Sequence, residues 1–138
     1  MNVEFEGADK LIARLDKMSD EATLRKNLEK AALLVERSAK QKAPKDTGAL
    51  RRSITSKVEG LEGIVYTPLE YAPYIEYGTG LFAEKGNGRK DVPWNYQDDK
   101  GNWHSTSGLK PHPFMRPSLD ENRQKILDIL KEGVVNDG

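Results

Sequence analysis

Apolar residues recur at steps of three and four positions over the first third of the chain. One such stripe follows Asp20 and predicts a helix that runs to about Gln41. Ser19 or Asp20 can cap its start, because a short side-chain oxygen accepts hydrogen bonds from free N–H groups there, and Pro44 ends it. The stripe consists of Leu24, Leu28, Ala31, Ala32, Val35 and Ala39. Since half of these residues are alanine, we expect another element to approach this helix closely.

Weaker helical patterns flank the long helix. Before it, the spacing of Leu11, Ile12, Leu15 and Met18 predicts a first helix. Near the other end of the chain, Ser118 and Glu121 form an S-x-x-E capping box, which predicts that a last helix begins there. Its apolar face would contain Leu119, Ile126, Leu127, Leu130 and Val134, with Gly133 near its end.

After Pro44 the apolar positions change to alternation. Residues 53–59 (SITSKVE) place Ile54, Ser56 and Val58 on one face. Residues 60–63 supply two glycines for a turn, and residues 64–67 (IVYT) are typical of a returning strand. The pattern predicts an antiparallel hairpin.

Two further segments are rich in aromatic residues. Residues 71–80 (YAPYIEYGTG) predict a short helical turn followed by a tight bend at the glycines. Residues 81–112 are polar, but Trp94, Tyr96 and Trp103 flank a DDKGN turn, which favours a second, projecting hairpin. The alternative is a flexible insert of about 30 residues, which is uncommon in a compact domain.

These elements predict an α+β fold in a single domain over residues 1–138. A long N-terminal helix and a C-terminal helix pack on a small antiparallel β-sheet, and a projecting β-hairpin forms an insert at 81–112. No apolar run approaches the roughly 20 residues that span a bilayer. The N-terminus lacks a basic region followed by an apolar stretch, so we expect no signal peptide, no membrane partner and synthesis in a cytoplasm.

Composition limits the chemistry. The chain holds 22 Lys and Arg against 22 Asp and Glu, so no global field steers it toward nucleic acid or anionic lipid. The absence of Cys excludes disulfides, thiolate nucleophiles and Cys-based metal sites. With only two His, most imidazole chemistry is excluded as well.

One segment is locally basic. Between residues 37 and 57 there are seven cations and one anion, Asp46, for a local net charge of +6. Such cations can contact phosphates or an acidic neighbouring subunit, but no aromatic residue is interleaved for base stacking. A solvated helix end followed by a turn is the simpler interpretation. The patch consists of Arg37, Lys40, Lys42, Lys45, Arg51, Arg52 and Lys57.

Catalytic candidates are weak. Asp98, Asp99, His104 and His112 offer metal-binding groups that could support a small hydrolase, but the DDKGN segment lacks the alternating ligands of a calcium loop. A turn that needs Asp, Gly and Asn for its backbone explains the segment better. No G-x-S-x-G elbow surrounds any serine, and the triplet Asp46-Thr47-Gly48 fits a capped turn better than a protease site. We expect no enzymatic activity and no cofactor.

Three blocks of sequence together resemble one family. The blocks are AKQKAPKDTGALRRSI (39–54), YAPYIEYGTG (71–80) and HPFMRPSLDENRQKIL (112–127). They are similar to the phage tail-component family named after gene product ten of a lambdoid phage, also described as neck or head–tail joining proteins. The residues singled out in the first block are Pro44, Asp46, Thr47, Gly48, Leu50, Arg51 and Ser53; those in the second are Tyr71, Tyr74, Glu76, Tyr77, Gly78 and Thr79; those in the third are Pro113, Phe114, Arg116 and Pro117.

The resemblance implies a structural virion protein of a tailed phage or prophage. Such a protein would join head and tail, or complete the tail, as a homo-oligomeric ring between connector and tail tube, made in the host cytoplasm. Its partners would be other neck, connector and tail proteins. The resemblance leaves open whether the protein also contacts DNA that passes through the channel. The family brings no catalytic residues, so the blocks imply fold roles: Asp46 or Thr47 as a cap, Gly48 in the turn, and Glu76 pairing with Arg51, Arg52 or Arg116.

Two readings therefore follow from the sequence. In the first, the protein assembles, and Trp94, Tyr96 and Trp103 anchor an interface or pack back onto their own domain. In the alternative, the protein is a nucleic-acid-binding module that uses the basic segment 37–57.

Overall fold

The computed structural model describes residues 1–3, 13–15, 17, 20–45 and 48–133. The chain forms two compact units: unit 1 comprises Met1–Pro68 and Phe114–Gly138, and unit 2 comprises Leu69–Pro113. The fold is α+β, as predicted. The elements of unit 1 are β1 (Asn2–Val3), α1 (Glu21–Lys42), α2 (Ala49–Ser53), β2 (Thr55–Glu59), β3 (Glu62–Tyr66), and, after unit 2, α4 (Met115–Asp120) and α5 (Arg123–Leu130). Those of unit 2 are α3 (Ala72–Tyr77), a 3-10 turn (Gly80–Phe82), β4 (Trp94–Gln97) and β5 (Trp103–Thr106).

Helix α1 is the long helix that the periodicity predicted. Asp20 caps it, since its Oδ1 accepts the Thr23 N–H at 2.7 Å. Hydrogen bonds from the Thr23 backbone and then from its side chain lower the pKa of the Asp20 carboxyl. The last turn closes with Ala43 N–H donating to the Ala39 carbonyl at 2.9 Å, and Pro44 follows. All six predicted stripe residues are buried.

The sheet of unit 1 has the strand order β1–β3–β2 and is antiparallel throughout. Thr55 lies opposite Tyr66 and Glu59 opposite Glu62, which confirms the predicted hairpin. Helix α1 packs on β2 and β3. A Cβ added at Gly63 would lie 3.6 Å from the Cβ of Ala32, so the close approach expected at the alanines takes place against β3.

Ser53 does not begin the strand as predicted. It is the last residue of the short helix α2, which the periodicity did not indicate. Gly48, at φ 72°, provides the left-handed turn before this helix. The Ser53 hydroxyl donates to the Leu50 carbonyl at 2.6 Å, so it satisfies the helix end and delays the strand to Thr55.

The capping-box prediction at the last helix is wrong. Two helices, α4 and α5, stand there, and Ser118 lies inside α4 with no exposed surface. Its hydroxyl donates to the Met115 carbonyl at 2.6 Å rather than to a helix start. Pro117 is compatible with this earlier helix start, because it lies in the first turn of α4, where N–H groups have no partner within the helix.

The core of unit 1 lies between α1, the sheet and the two C-terminal helices. Helices α4 and α5 both pack against α1. Of the apolar face predicted for the last helix, Ile126 and Leu130 are buried and Leu127 is half-buried. Gly133, at φ 68°, follows the end of α5.

Several predicted residues lie outside the described part of the chain. Of the predicted first helix, residues 13–15 and 17 are helical and Leu15 is buried. The predicted residues outside the described ranges are Leu11, Ile12, Met18, Ser19, Asp46, Thr47 and Val134.

Unit 2 contains the predicted helical turn and the second hairpin. Helix α3 ends at Tyr77, and Gly78, at φ 81°, makes the tight bend that the sequence predicted. Trp94 lies opposite Thr106 and Gln97 opposite Trp103, so residues 94–106 form an antiparallel hairpin.

Candidate interaction surface

The first block of the resemblance forms the connection between α1 and β2. Leu50 is buried in the core of unit 1. Arg51 donates through Nη2 to the Ala43 carbonyl at 3.5 Å, a long hydrogen bond back to the end of α1. The Ser53 and Thr67 hydroxyls lie 2.7 Å apart.

The second block positions the backbone of unit 2. Thr79 exchanges two hydrogen bonds with Leu109: its N–H donates to the Leu109 carbonyl at 2.9 Å, and its Oγ1 accepts the Leu109 N–H at 2.8 Å. Leu81 N–H donates to the Ser107 carbonyl at 2.9 Å. The bend after α3 is therefore held against residues 107–109.

Glycine is required where these two backbones meet. A Cβ at Gly80 would overlap the Ser107 carbonyl oxygen, and one at Gly108 would overlap the Thr79 carbonyl oxygen. Both glycines also have positive φ, at 59° and 132°. Gly80 of the GTG motif and Gly108 thus permit a close approach of two backbones. The GTG motif alone does not indicate this requirement, because the second backbone is that of residues 107–108.

Side chains of the second block divide between interior and surface. Glu76 has no exposed surface. Tyr71 and Tyr74 are exposed, at 40% and 60%. The suggested pairing of Glu76 with an arginine stays a prediction.

The third block supplies core residues of unit 1. Phe114 and Met115 are fully buried. Pro113 is exposed, whereas Arg116 and Pro117 are half-buried.

A groove lies within unit 2, beside α3. Its volume is about 370 Å³. The rings of Tyr74, Tyr77 and Trp94 line it together with the cations Lys85 and Arg89. The remaining lining residues are Pro73, Gly78, Thr79, Gly80, Ala83, Asn87 and Gly88.

The three aromatic residues of the predicted interface are not equivalent. Trp103 and Tyr96 are 69% and 45% exposed. Trp94 is half-buried and lines the groove, with the Arg89 guanidinium carbon 5.0 Å from its ring centroid. Tyr96 stacks on its cross-strand neighbour His104, with ring centroids 5.2 Å apart.

Asp98 organises the turn of the β4–β5 hairpin. Its Oδ1 accepts the N–H groups of Lys100 and Asn102, each at 2.9 Å, and its Oδ2 lies 2.7 Å from His104 Nε2. The hydrogen bond with His104, and then the one from Asn102, lower the pKa of Asp98. Gly101, at φ 85°, completes the turn. This geometry fits the backbone role expected of Asp, Gly and Asn.

The other catalytic candidates do not join this pair. The His112 N–H donates to the Ile75 carbonyl at 2.7 Å, in α3. Within the ranges that the structure describes, no three His, Asp or Glu side chains are grouped to hold a metal ion.

Large exposed hydrophobic side chains are concentrated in unit 2. Of the eight found in the described part of the chain, only Leu33 belongs to unit 1. Exposed aromatic side chains are the kind that anchor protein interfaces when a partner buries them. The seven in unit 2 are Tyr71, Tyr74, Leu81, Phe82, Tyr96, Trp103 and Leu109.

The predicted basic patch is partly neutralised by nearby carboxylates. Lys42 Nζ lies 2.6 Å from Glu121, Lys57 Nζ lies 2.6 Å from Glu59, and Lys40 Nζ lies 3.6 Å from Glu36. The hydrogen bond to Glu59 raises the pKa of Lys57. The other members that face solvent are Arg37, Lys45 and Arg52. Nucleic-acid binding by this patch stays a prediction.

Comparison with known proteins agrees with the resemblance seen in the sequence. The sequence model of the family described as "Bacteriophage HK97-gp10, putative tail-component" matches residues 9–78, half of the chain. The protein therefore belongs to this family of phage tail components. The match contains the first block and residues 71–78 of the second, and the third block lies beyond it. No curated protein and no solved structure matches the chain. Among the helices in the described ranges, none is long and apolar enough to cross a membrane.

Proposed function

We propose that this protein acts in head–tail joining or tail completion, and that it does so by assembling as a ring between connector and tail tube. The observation that carries the proposal is the concentration of exposed hydrophobic side chains in unit 2. Such a surface suits burial against another protein, where aromatic residues contribute most of the binding energy. A ring subunit needs two different contact surfaces, since heterologous contacts close into rings.

The same proposal includes the absence of catalysis. Asp98 and His104 form a pair within an exposed turn, and the residues around them serve its backbone. The protein would be synthesised in the host cytoplasm and act in the virion, through neck, connector and tail proteins.

The test is the mass in solution, measured by light scattering after size exclusion. The protein is measured alone and then mixed with the connector or tail-tube proteins encoded beside it. We expect a complex of defined high mass in the mixture. A chain that stays monomeric with every neighbour would contradict assembly.

Matched variants connect the assembly to the surface. Leu81→Ala/Trp103→Ala removes the two most exposed large hydrophobic side chains of unit 2, at 62% and 69%. Leu33→Ala removes an exposed leucine, at 38%, from unit 1. We expect the first variant to lose the complex and the second to keep it. If both variants lose the complex or both keep it, the assignment of the interface to unit 2 is wrong.

A further inference from the structure

We infer that the groove of unit 2 binds an acidic peptide segment of a neighbouring protein, in which carboxylates stand beside an apolar side chain. The inference rests on the proposed assembly function and names the chemistry of the partner. The groove volume of about 370 Å³ lies in the range of small binding clefts. It accommodates a few side chains rather than a folded domain.

The charges that line the groove are of one sign. Lys85 and Arg89 are its two charged residues, and within the fully described segment 69–113 no Asp or Glu lines it. Lys85 Nζ lies 4.8 Å from the ring centroid of Tyr77, and Arg89 lies 5.0 Å from that of Trp94. Attraction to the ring faces holds the cations in place without using their N–H donors.

These donors remain available to a ligand. The carboxylate paired with Arg89 is that of Asp91, whose Oδ2 lies 3.8 Å from Nη2, too far for a hydrogen bond. A peptide carboxylate in the groove would accept shorter, charge-assisted hydrogen bonds. The selectivity for an acidic segment follows from this pair of cations.

A separate part of the groove would contact the apolar side chain of the ligand. Tyr74 is 60% exposed, and Pro73 beside it is half-buried. The groove is also preformed, because Thr79 and Leu81, on either side of Gly80, are held by backbone hydrogen bonds to Leu109 and Ser107. A preformed groove costs less conformational entropy on binding.

A peptide fits this groove better than single-stranded nucleic acid does. Stacking of successive bases needs several open ring faces along a positive groove. Tyr77 and Trp94 each have a cation over the ring, which leaves Tyr74 alone for stacking. Residues 69–113 also carry six Asp and Glu against five Lys and Arg. This balance disfavours a long polyanion but leaves the local cation pair for one or two carboxylates.

The test is fluorescence anisotropy with three labelled probes and the full-length protein. The probes are a short peptide of alternating Glu and Leu, the same peptide with Gln for each Glu, and an oligothymidylate of similar length. The groove variant is Lys85→Glu/Arg89→Glu. Its control is Lys90→Glu/Lys100→Glu, which makes the same charge change at exposed lysines of unit 2 that do not line the groove.

We expect the Glu peptide to bind at least about tenfold more tightly than the Gln peptide, a difference of about 1.4 kcal/mol. The groove variant should lose at least that factor, whereas the control should stay within about twofold. Tyr74→Ala should weaken both peptides. Three results would overturn the inference: no binding of the Glu peptide, equal losses in the groove and control variants, or tighter binding of the oligothymidylate than of the Glu peptide.

The outcome can be separated from that of the assembly test. If the peptide binds through the groove but no virion protein forms a complex, the groove is still a binding site for acidic peptides, and the proposed assembly function is wrong. If the groove variant still assembles as the unaltered protein does, the groove inference fails and the assembly function stands.

Discussion

The side-chain amide of Asn27 donates a hydrogen bond of 2.8 Å to the main-chain carbonyl of Glu132, 105 residues later in the chain. Asn27 is 4% exposed and stands within the apolar stripe of α1. Glu132 follows α5, where helix carbonyls lack partners within the helix. The bond therefore ties the end of the last helix to the N-terminal third of α1.

Replacing Asn27 by Leu should lower the free energy of unfolding by about 1–2 kcal/mol, because a buried hydrogen bond is lost. Lys30→Ala is the control. It removes a half-exposed ion pair of 3.1 Å with the Glu132 carboxylate and should cost less than about 0.5 kcal/mol. Urea unfolding with unchanged m-values measures both. Equal losses would show that the buried hydrogen bond is not the anchor.

Ala32→Leu should destabilise unit 1 by about 1–3 kcal/mol, because the larger side chain has no room against Gly63. Lys26→Leu, on the exposed side of the same helix, should change the stability by less than about 0.5 kcal/mol. Thermal unfolding followed by circular dichroism compares the two. A tolerated Ala32→Leu would mean that α1 and β3 can separate without loss of packing.

Gly80→Ala should disrupt the contact between the bend and residue 107, whereas Gly86→Ala should leave it intact. Both glycines have positive φ, at 59° and 68°, but nothing lies within 4 Å of a Cβ at Gly86. Backbone strain of about 1–2 kcal/mol is common to both variants, and only Gly80→Ala adds the overlap with Ser107. Hydrogen exchange at the amides of Thr79 and Leu81 distinguishes them. Similar protection of these amides in the two variants would contradict the close approach.

The β4–β5 turn should depend on pH in the acid range. Since the pKa of Asp98 is lowered from 3.8 in the folded chain, its contribution to stability is present above that value and lost as the pH falls through the lowered pKa. We expect the amide resonances of Lys100 and Asn102 to lose their folded shifts below pH 3.8.

Asp98→Asn is the control for this transition. Its side-chain oxygen still accepts hydrogen bonds from the two amides, but it has no carboxylate to protonate. The acid transition of the turn should therefore disappear. A transition at the same pH in both proteins would assign it to another group.

Part of the site could be predicted from the sequence. The aromatic alternation around DDKGN predicted the second hairpin, which β-pairing of Trp94 with Thr106 confirms. The sequence could not distinguish Trp94, which lines a groove, from the exposed Trp103. Both are aromatic residues in a polar segment, and the groove around Trp94 is formed by α3 and the loop before β4. Lys85 and Arg89 carried no signal, because single cations in a loop are ordinary.

The sequence by itself determined the elements that depend on near neighbours. The stripe of α1 and the turn residues of both hairpins act within a few positions, through helical spacing, capping and glycine conformations. The tertiary structure decided what depends on distant residues. Ser118 became a buried residue of α4 rather than a cap, Asn27 found its partner at Glu132, and Gly80 met Ser107. Such contacts join residues far apart in the chain, so packing selects them and local pattern does not.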